Sequence, residues 1–195
     1  QETPTVAGWL LLPLIHFIFL GYLPLSRSRL SNDPSLAAGC GQLFVTTRSA
    51  YDKAGGHAAI KSSLHDGIML PRAFRKAGLQ TDIFDASTIA SCRMYETNRD
   101  VLQGITKNAT EGIGAPRTIV PFTILLGGGV VAPALLLICI LSGISQSWIV
   151  ITAIFPGLIL SYFPRLITLN RFQQSAGSVF FHPLAVGIFL AVQWF

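Results

Sequence analysis

Charge is scarce in this sequence: of 195 residues, 12% are Asp, Glu, Lys or Arg and 51% are hydrophobic, where an ordinary soluble domain carries about 25% charged residues. That shortage argues against a conventional soluble globular chain. Cysteine is sparse as well, since Cys40, Cys92 and Cys139 are odd in number and form neither a CxxC pair nor a Cys/His cluster. The pattern points away from a structural zinc site and toward reduced thiols. Neither standard Gly-rich phosphate loop is present, and no DxD carboxylate pair occurs, because Asp82-Ile83-Phe84-Asp85 has the wrong spacing. A metal–nucleotide site is therefore missing from the chain, and no metal-binding residues are assigned.

What charge there is falls in one place. Twenty of the charged residues lie between Arg27 and Arg117, while the 47 residues from Thr118 to Pro164 contain no Lys, Arg, Asp, Glu or His. A spanning helix needs about 20 apolar residues, so this run predicts two spans, near 119–141 and 148–163, joined by a turn at Ser142 to Ser147. A third candidate covers 178–195. Lys107 and Arg117 precede the first span and Arg165 and Arg171 lie between the second and third, which places the polar region and the 165–177 loop together on the cytoplasmic side. Gly8 to Leu25 carries Pro13, His16 and Pro24. It reads as a kinked interfacial or re-entrant segment within residues 1–25, with a straight span as the alternative. It lacks the basic n-region and cleavage site of a secretory leader.

The polar region, 26–117, holds 12 basic and 8 acidic residues, a net charge of +4 that suits anionic headgroups as well as plain solvation. Its pattern is mixed α/β. Strands are expected near Gln42 to Thr46, Leu79 to Phe84 and Ile89 to Arg93, and a helical turn at Tyr51 to Ala54 ends at Gly55-Gly56. Pro71 predicts the first position of a helix running to Ala77, with Gly78 beyond its end. Val101, Leu102, Ile105, Ala109 and Ile113 recur at helical spacing, which predicts an amphipathic helix over Arg99 to Ile113.

The candidate functional residues sit at turns: Gln42, His57, His65, Asp66, Arg72, Arg93 and Tyr95. Asp66 either caps a helix or serves as a general base. Arg93 either holds a phosphate oxyanion or pairs with Asp85 or Glu96.

The ordered series Cys40-Gly41-Gln42, Arg48 to His57, His65-Asp66-Gly67, Leu70-Pro71-Arg72 and Cys92-Arg93-Met94-Tyr95 resembles the acceptor-side half of membrane-bound family 2 glycosyltransferases. Enzymes that glycosylate carotenoid or hopanoid lipids are the most similar. Lys107-Asn108, and Arg171-Phe172 through His182-Pro183-Leu184, extend the resemblance over essentially the whole chain. It implies an α/β fold plus transmembrane helices: the acceptor half of a GT-A domain followed by about three membrane helices. It also implies transfer of a single sugar from a nucleotide-sugar donor to a membrane lipid, since Arg93-Met94-Tyr95 departs from the Gln-x-x-Arg-Trp form of processive synthases. Asp66 falls at the first position of the family's acidic pair, and Gly67 stands where the base usually is. Gln42, His57, His65, Arg72, Arg93 and Tyr95 become substrate-binding candidates. The donor and a divalent metal, Mg or Mn, belong to a DxD-bearing half outside this chain, so this chain alone binds no cofactor. A bacterial inner-membrane location with the polar domain cytoplasmic is implied, and no nucleic-acid partner. The alternative is a non-catalytic integral membrane module for lipid binding or assembly.

Overall fold

The computed structural model describes residues 2–143 and 148–195, with backbone alone at 149, 150 and 153. Helices follow in the order α1 (Val6–Leu11), α2 (Leu14–Tyr22), α3 (Leu25–Leu30), α4 (Arg48–Lys53), α5 (Asp66–Lys76), α6 (Asn98–Ala109), α7 (Ile119–Leu141), α8 (Trp148–Arg171), α9 (Ala176–Phe180) and α10 (His182–Trp194), with short 3-10 turns at Pro34–Leu36 and Gly56–Ile60. The chain forms two compact units, one from Gln1–Glu2 and Tyr22–Met94 and the other from Thr3–Gly21 and Tyr95–Phe195.

The fold is helical, which overturns the expected α/β GT-A half. Among the described residues β pairing is confined to one parallel bridge, Glu2 with Arg93, in which the Glu2 amide donates to the Cys92 carbonyl at 2.9 Å. The three expected strands have the right composition but no ladder partners. A strand is stabilised by its neighbours rather than by its own propensity. Leu43, Phe44, Val45, Phe84 and Ile89 consequently stay exposed.

In the first unit α5 organises the core. Gly67, Leu70, Pro71 and Phe74 form its buried stripe, and Leu70 and Phe74 meet Ala54 and Ile60. Burying a side chain such as Phe74 contributes about 1.5–3 kcal/mol. The helix begins five residues before the start expected from Pro71, because the His65 carbonyl accepts from the Ile68 and Met69 amides at 3.2 and 3.0 Å and closes a first turn. Pro71 therefore lies inside the helix, where it removes the hydrogen bond that would have ended on Gly67. At the other end Gly78, at φ +75°, takes the left-handed position expected of it. The Leu79 amide returns to the Phe74 carbonyl at 3.0 Å and the Gly78 amide to Arg75 at 3.0 Å, completing a Schellman cap. Arg75 lies on the buried stripe and is 3% exposed. Its guanidinium donates to the Thr81 hydroxyl at 2.8 Å, the Asp33 carbonyl at 2.9 Å, and the Ser28 carbonyl and hydroxyl at 2.9 Å each, joining α5 to the 28–36 segment and the 79–82 segment.

In the second unit α6 starts on a capping box. Thr97 accepts from the Asp100 amide at 3.1 Å and the Asp100 carboxylate accepts from the Thr97 amide at 3.1 Å. The helix buries Val101 and Ala109 and ends at Ala109, short of the expected Ile113. The 1–25 segment breaks at Leu12-Pro13 into α1 and α2, whose Leu10, Leu11, Leu14 and Phe17 are buried. In α7 a wider turn at Gly127–Val131, with the Ala132 amide donating to the Gly127 carbonyl, absorbs the proline that follows at 133.

Among the described residues one helix, α7, is long and apolar enough to cross a membrane. This corrects the expectation of about three. Its 23 residues at about 1.5 Å rise match the hydrocarbon thickness, and Ile124, Leu125, Leu135, Leu136, Ile138 and Leu141 face outward. The second expected span, 148–163, falls partly outside the described side chains, and its helix continues through Pro164 into a fully buried Arg165. The third is broken at Phe181, leaving α10 with 13 residues, too short to cross. The 142–147 turn lies outside the described residues from 144 onward.

Candidate functional site

The first turn of α5 is where the motifs of the first unit meet. Asp66 opens the helix, exposed to solvent, and its Oδ1 accepts from the Gly67 amide at 2.8 Å. The 39–41 loop passes so close that a Cβ on either side would force its neighbour to shift. A Cβ on Gly41 would lie 2.7 Å from both carboxylate oxygens of Asp66, and one on Gly67 would lie 2.7 Å from the Gly39 carbonyl oxygen. Cys40-Gly41-Gln42 and His65-Asp66-Gly67, distant in sequence, thus form one feature. The Gln42 side-chain amide reaches Met94 Sδ at 3.1 Å, which draws the Cys92-Arg93-Met94 segment to the same loop.

The remaining candidates are placed as follows. The His65 amide donates to Ser63 Oγ at 3.2 Å. Arg72 lies one turn along α5, its Nη1 3.8 Å from Met69 Sδ. Arg93 pairs with Glu2, its Nη2 and Nε lying 2.9 Å from Oε2, and Asp85 accepts from the Ser87 amide and hydroxyl. This pair is about half exposed on both sides, so its stabilising effect is small, but it fixes where the guanidinium points. His57 is held away from the Asp66 feature. Its Nδ1 is 2.7 Å from the Tyr51 hydroxyl, which also accepts from the His57 amide at 2.9 Å. Tyr95 belongs to the second unit, where its ring lies over Gly104 of α6.

The site is a carboxylate next to a polar loop. Among the described residues no cation comes within ion-pair distance of Asp66, and no three His, Cys, Asp or Glu residues gather as metal ligands. No step is routed through a metal at this site. Burial pushes the Cys40 thiol up from its ordinary value, with Cys92 adding to the effect. A thiol so raised stays protonated and is a poor nucleophile.

Sequence reasoning missed Gly39 and Gly41 as close-approach positions, Glu2 as the partner of Arg93, and Arg75 as a buried anchor. Arg75 had a signal: it follows Gly67 and Pro71 at four-residue intervals, so it lies on the apolar stripe of its helix. Glu2 had none, being far away in sequence. In the second unit Arg165, expected as a loop cation, is instead buried inside α8.

Comparison with known proteins adds no relative: no family model matches the chain, and neither a curated protein nor a solved structure does.

Proposed function

We propose that this chain supplies the acceptor side and the membrane attachment of an inverting glycosyltransferase that moves one sugar from a nucleotide-sugar donor to a membrane lipid. The observation that carries this reading is the meeting of Cys40-Gly41-Gln42, His65-Asp66-Gly67 and Cys92-Arg93-Met94 around one exposed carboxylate. In such a transfer the lipid hydroxyl gives its proton to Asp66 as its oxygen bonds to the anomeric carbon. The bond from that carbon to the donor diphosphate breaks, and a nucleoside diphosphate leaves. Arg93, held toward this segment by Glu2, is the cation nearest in sequence to Met94 and suits an anionic oxygen of donor or acceptor. The donor half and its divalent metal, Mg or Mn, are contributed by a separate polypeptide segment. The polar unit faces the cytoplasm of a bacterial inner membrane, a reading supported by Lys107 and Arg117 just before α7.

The test is to co-express the chain with a DxD-bearing donor half and assay radiolabelled sugar transfer into extracted lipids. Transfer is expected with the natural chain and at least a hundredfold less with Asp66→Asn, the lower range for loss of a general base. Full activity of Asp66→Asn would remove Asp66 from the mechanism.

A second reading rests on Gly67, which stands where the base usually is. A chain without the acidic pair serves equally as a non-catalytic lipid-binding or assembly module. Calorimetric binding of nucleotide sugar to the isolated chain would count against that view.

A further inference from the structure

The second unit contains a buried cation with no counter-charge. Arg165 is 0% exposed, as are Thr168, Ser178 and His182 around it. Its Nη1 donates to the Pro13 carbonyl at 3.1 Å and to Gln174 Oε1 at 2.6 Å, and its Nη2 to Ser178 Oγ at 3.2 Å. All three acceptors are neutral. Among the described residues no carboxylate lies within 4.0 Å of it. The Arg165 Nε and both ring nitrogens of His182 are buried without a hydrogen-bond partner, although the His182 ring packs edge-on against Phe17 and Tyr162. A buried charge without an opposite charge, beside unsatisfied polar atoms, is among the most costly arrangements in a protein interior.

Gln174 occupies the position an anionic oxygen would take. Its Oε1 accepts from Arg165 Nη1 and also from Thr168 Oγ1 at 3.1 Å. The turn that delivers it is strained, because Gln173 adopts φ 49°, a left-handed conformation unusual for a residue other than glycine. Gln173 and Ser175 on either side are exposed. The Gln174 side-chain nitrogen lies 3.1 Å from His16 Nδ1, so the turn is tied to α2 as well as to the guanidinium.

We propose that Arg165, with Thr168 and His182, is a binding site for a phosphate oxyanion, and that Gln174 closes it when the anion is absent. Arg165 Nη1 and Thr168 Oγ1 already converge on one oxygen in Gln174, and Arg165 Nε and the His182 ring add polar atoms without a partner, a set of donors that suits phosphate better than the two oxygens of a carboxylate. The planar guanidinium supplies the forked contact. The same chemistry is offered by a phospholipid headgroup and by free phosphate. Phe180, Phe181 and Leu184, exposed on α9, the break and α10, lie next in sequence to the site and suit acyl chains beside a headgroup. The site does not depend on the glycosyltransferase reading.

The experiment follows thermal unfolding of the full chain, by tryptophan fluorescence, in three settings: phosphate-free dodecyl maltoside micelles, the same micelles with phosphatidic acid, and the same micelles with inorganic phosphate against chloride of equal ionic strength. Gln174→Ala removes the neutral stand-in, so it is expected to melt lower in the maltoside micelles and to recover by about 4 °C or more with the anion, beyond any gain of the natural chain. Recovery with phosphatidic acid alone identifies the headgroup, and recovery with inorganic phosphate identifies the free anion. Recovery no greater than that of the natural chain, or matched by chloride, would overturn the proposal. In the double variant Arg165→Lys, Gln174→Ala the recovery should disappear, because an ammonium lacks the fork; an undiminished recovery would place the anion on surface cations and also overturn it. If the double variant does not fold, the comparison of Gln174→Ala with the natural chain decides.

Discussion

At the residue scale, the neighbourhood of Asp66 depends on what glycine omits. Gly41 and Gly67 are both too close to their neighbours for a side chain, but the obstacles differ. A methyl at 41 meets the carboxylate of Asp66, a side-chain tip that can rotate away, whereas a methyl at 67 meets the backbone oxygen of Gly39. Gly41→Ala is therefore expected to keep stability within about 1 kcal/mol while reducing sugar transfer nearly as far as Asp66→Asn. Gly67→Ala should destabilise the first unit by about 1–3 kcal/mol through overpacking. Urea unfolding of both variants, run beside the transfer assay, checks the contrast; equal stability losses would contradict it. An Asp at position 67 would likewise have to push the 39–41 loop aside. A second residue-scale prediction concerns acid. The Arg29 side chain, hydrogen-bonded to Asp82 at 2.9 Å, holds that carboxyl below the usual carboxylate range. A lowered folded value means that the stabilisation is present above the unfolded value of about 3.9 and fades as pH falls through the folded value. Asp33 shifts in the same direction through the amide and hydroxyl of Ser35. Melting temperatures between pH 6 and pH 3 should fall, and less steeply in Asp82→Asn; identical slopes would show that the pair is solvated.

At the element scale, the helix α6 is held at its start by a capping box and lets the Tyr95 ring lie against it at Gly104. Thr97→Ala removes a capping box acceptor at the cost of about 1 kcal/mol, a fall of about 2–4 °C in melting temperature for a chain of this size. No fall would mean that the helix start is fixed by its burial of Val101 instead. The apolar spacing of this element was legible in the sequence because it is local, whereas its capping box and its end at Ala109, short of Ile113, were not read. Also legible were the α5 terminus at Gly78 and the turn at Gly55, where a positive φ selects glycine. The strands were not legible as failures, since Leu43, Phe44 and Val45 have strand composition and only the absence of a partner among the described residues prevents a ladder. The start of α5 was misplaced because proline at the first helical position is a strong local habit, here overridden by the turn closed on the His65 carbonyl. Of the candidate site, the carboxylate could be read directly. The contact of residues 39–41 with 65–67 could not, because it follows from which backbone segments pack together and not from any residue type.

At the scale of the whole molecule, charge and hydropathy remain the best guide to topology, with one change. Arg165 satisfies buried carbonyl and hydroxyl groups in the second unit and no longer counts as a flanking loop cation. Lys107 and Arg117 precede α7, the one described helix fit to cross a membrane, and nothing charged follows it until Arg165. Cations resist translocation and apolar turns do not, so the end of α7 at Leu141 should face away from the cytoplasm. This is testable with one thiol. In a chain whose Cys40, Cys92 and Cys139 are replaced by Ser, Ser142→Cys lies just beyond the C-terminal end of α7. Whole cells treated with a membrane-impermeant maleimide should label that position, whereas Ser63→Cys in the polar unit should label only after lysis. The reverse pattern would invert the topology. Labelling of neither position before lysis would mean that α7 does not cross, and the polar unit would then lose the membrane attachment on which the proposed transfer to a lipid hydroxyl depends.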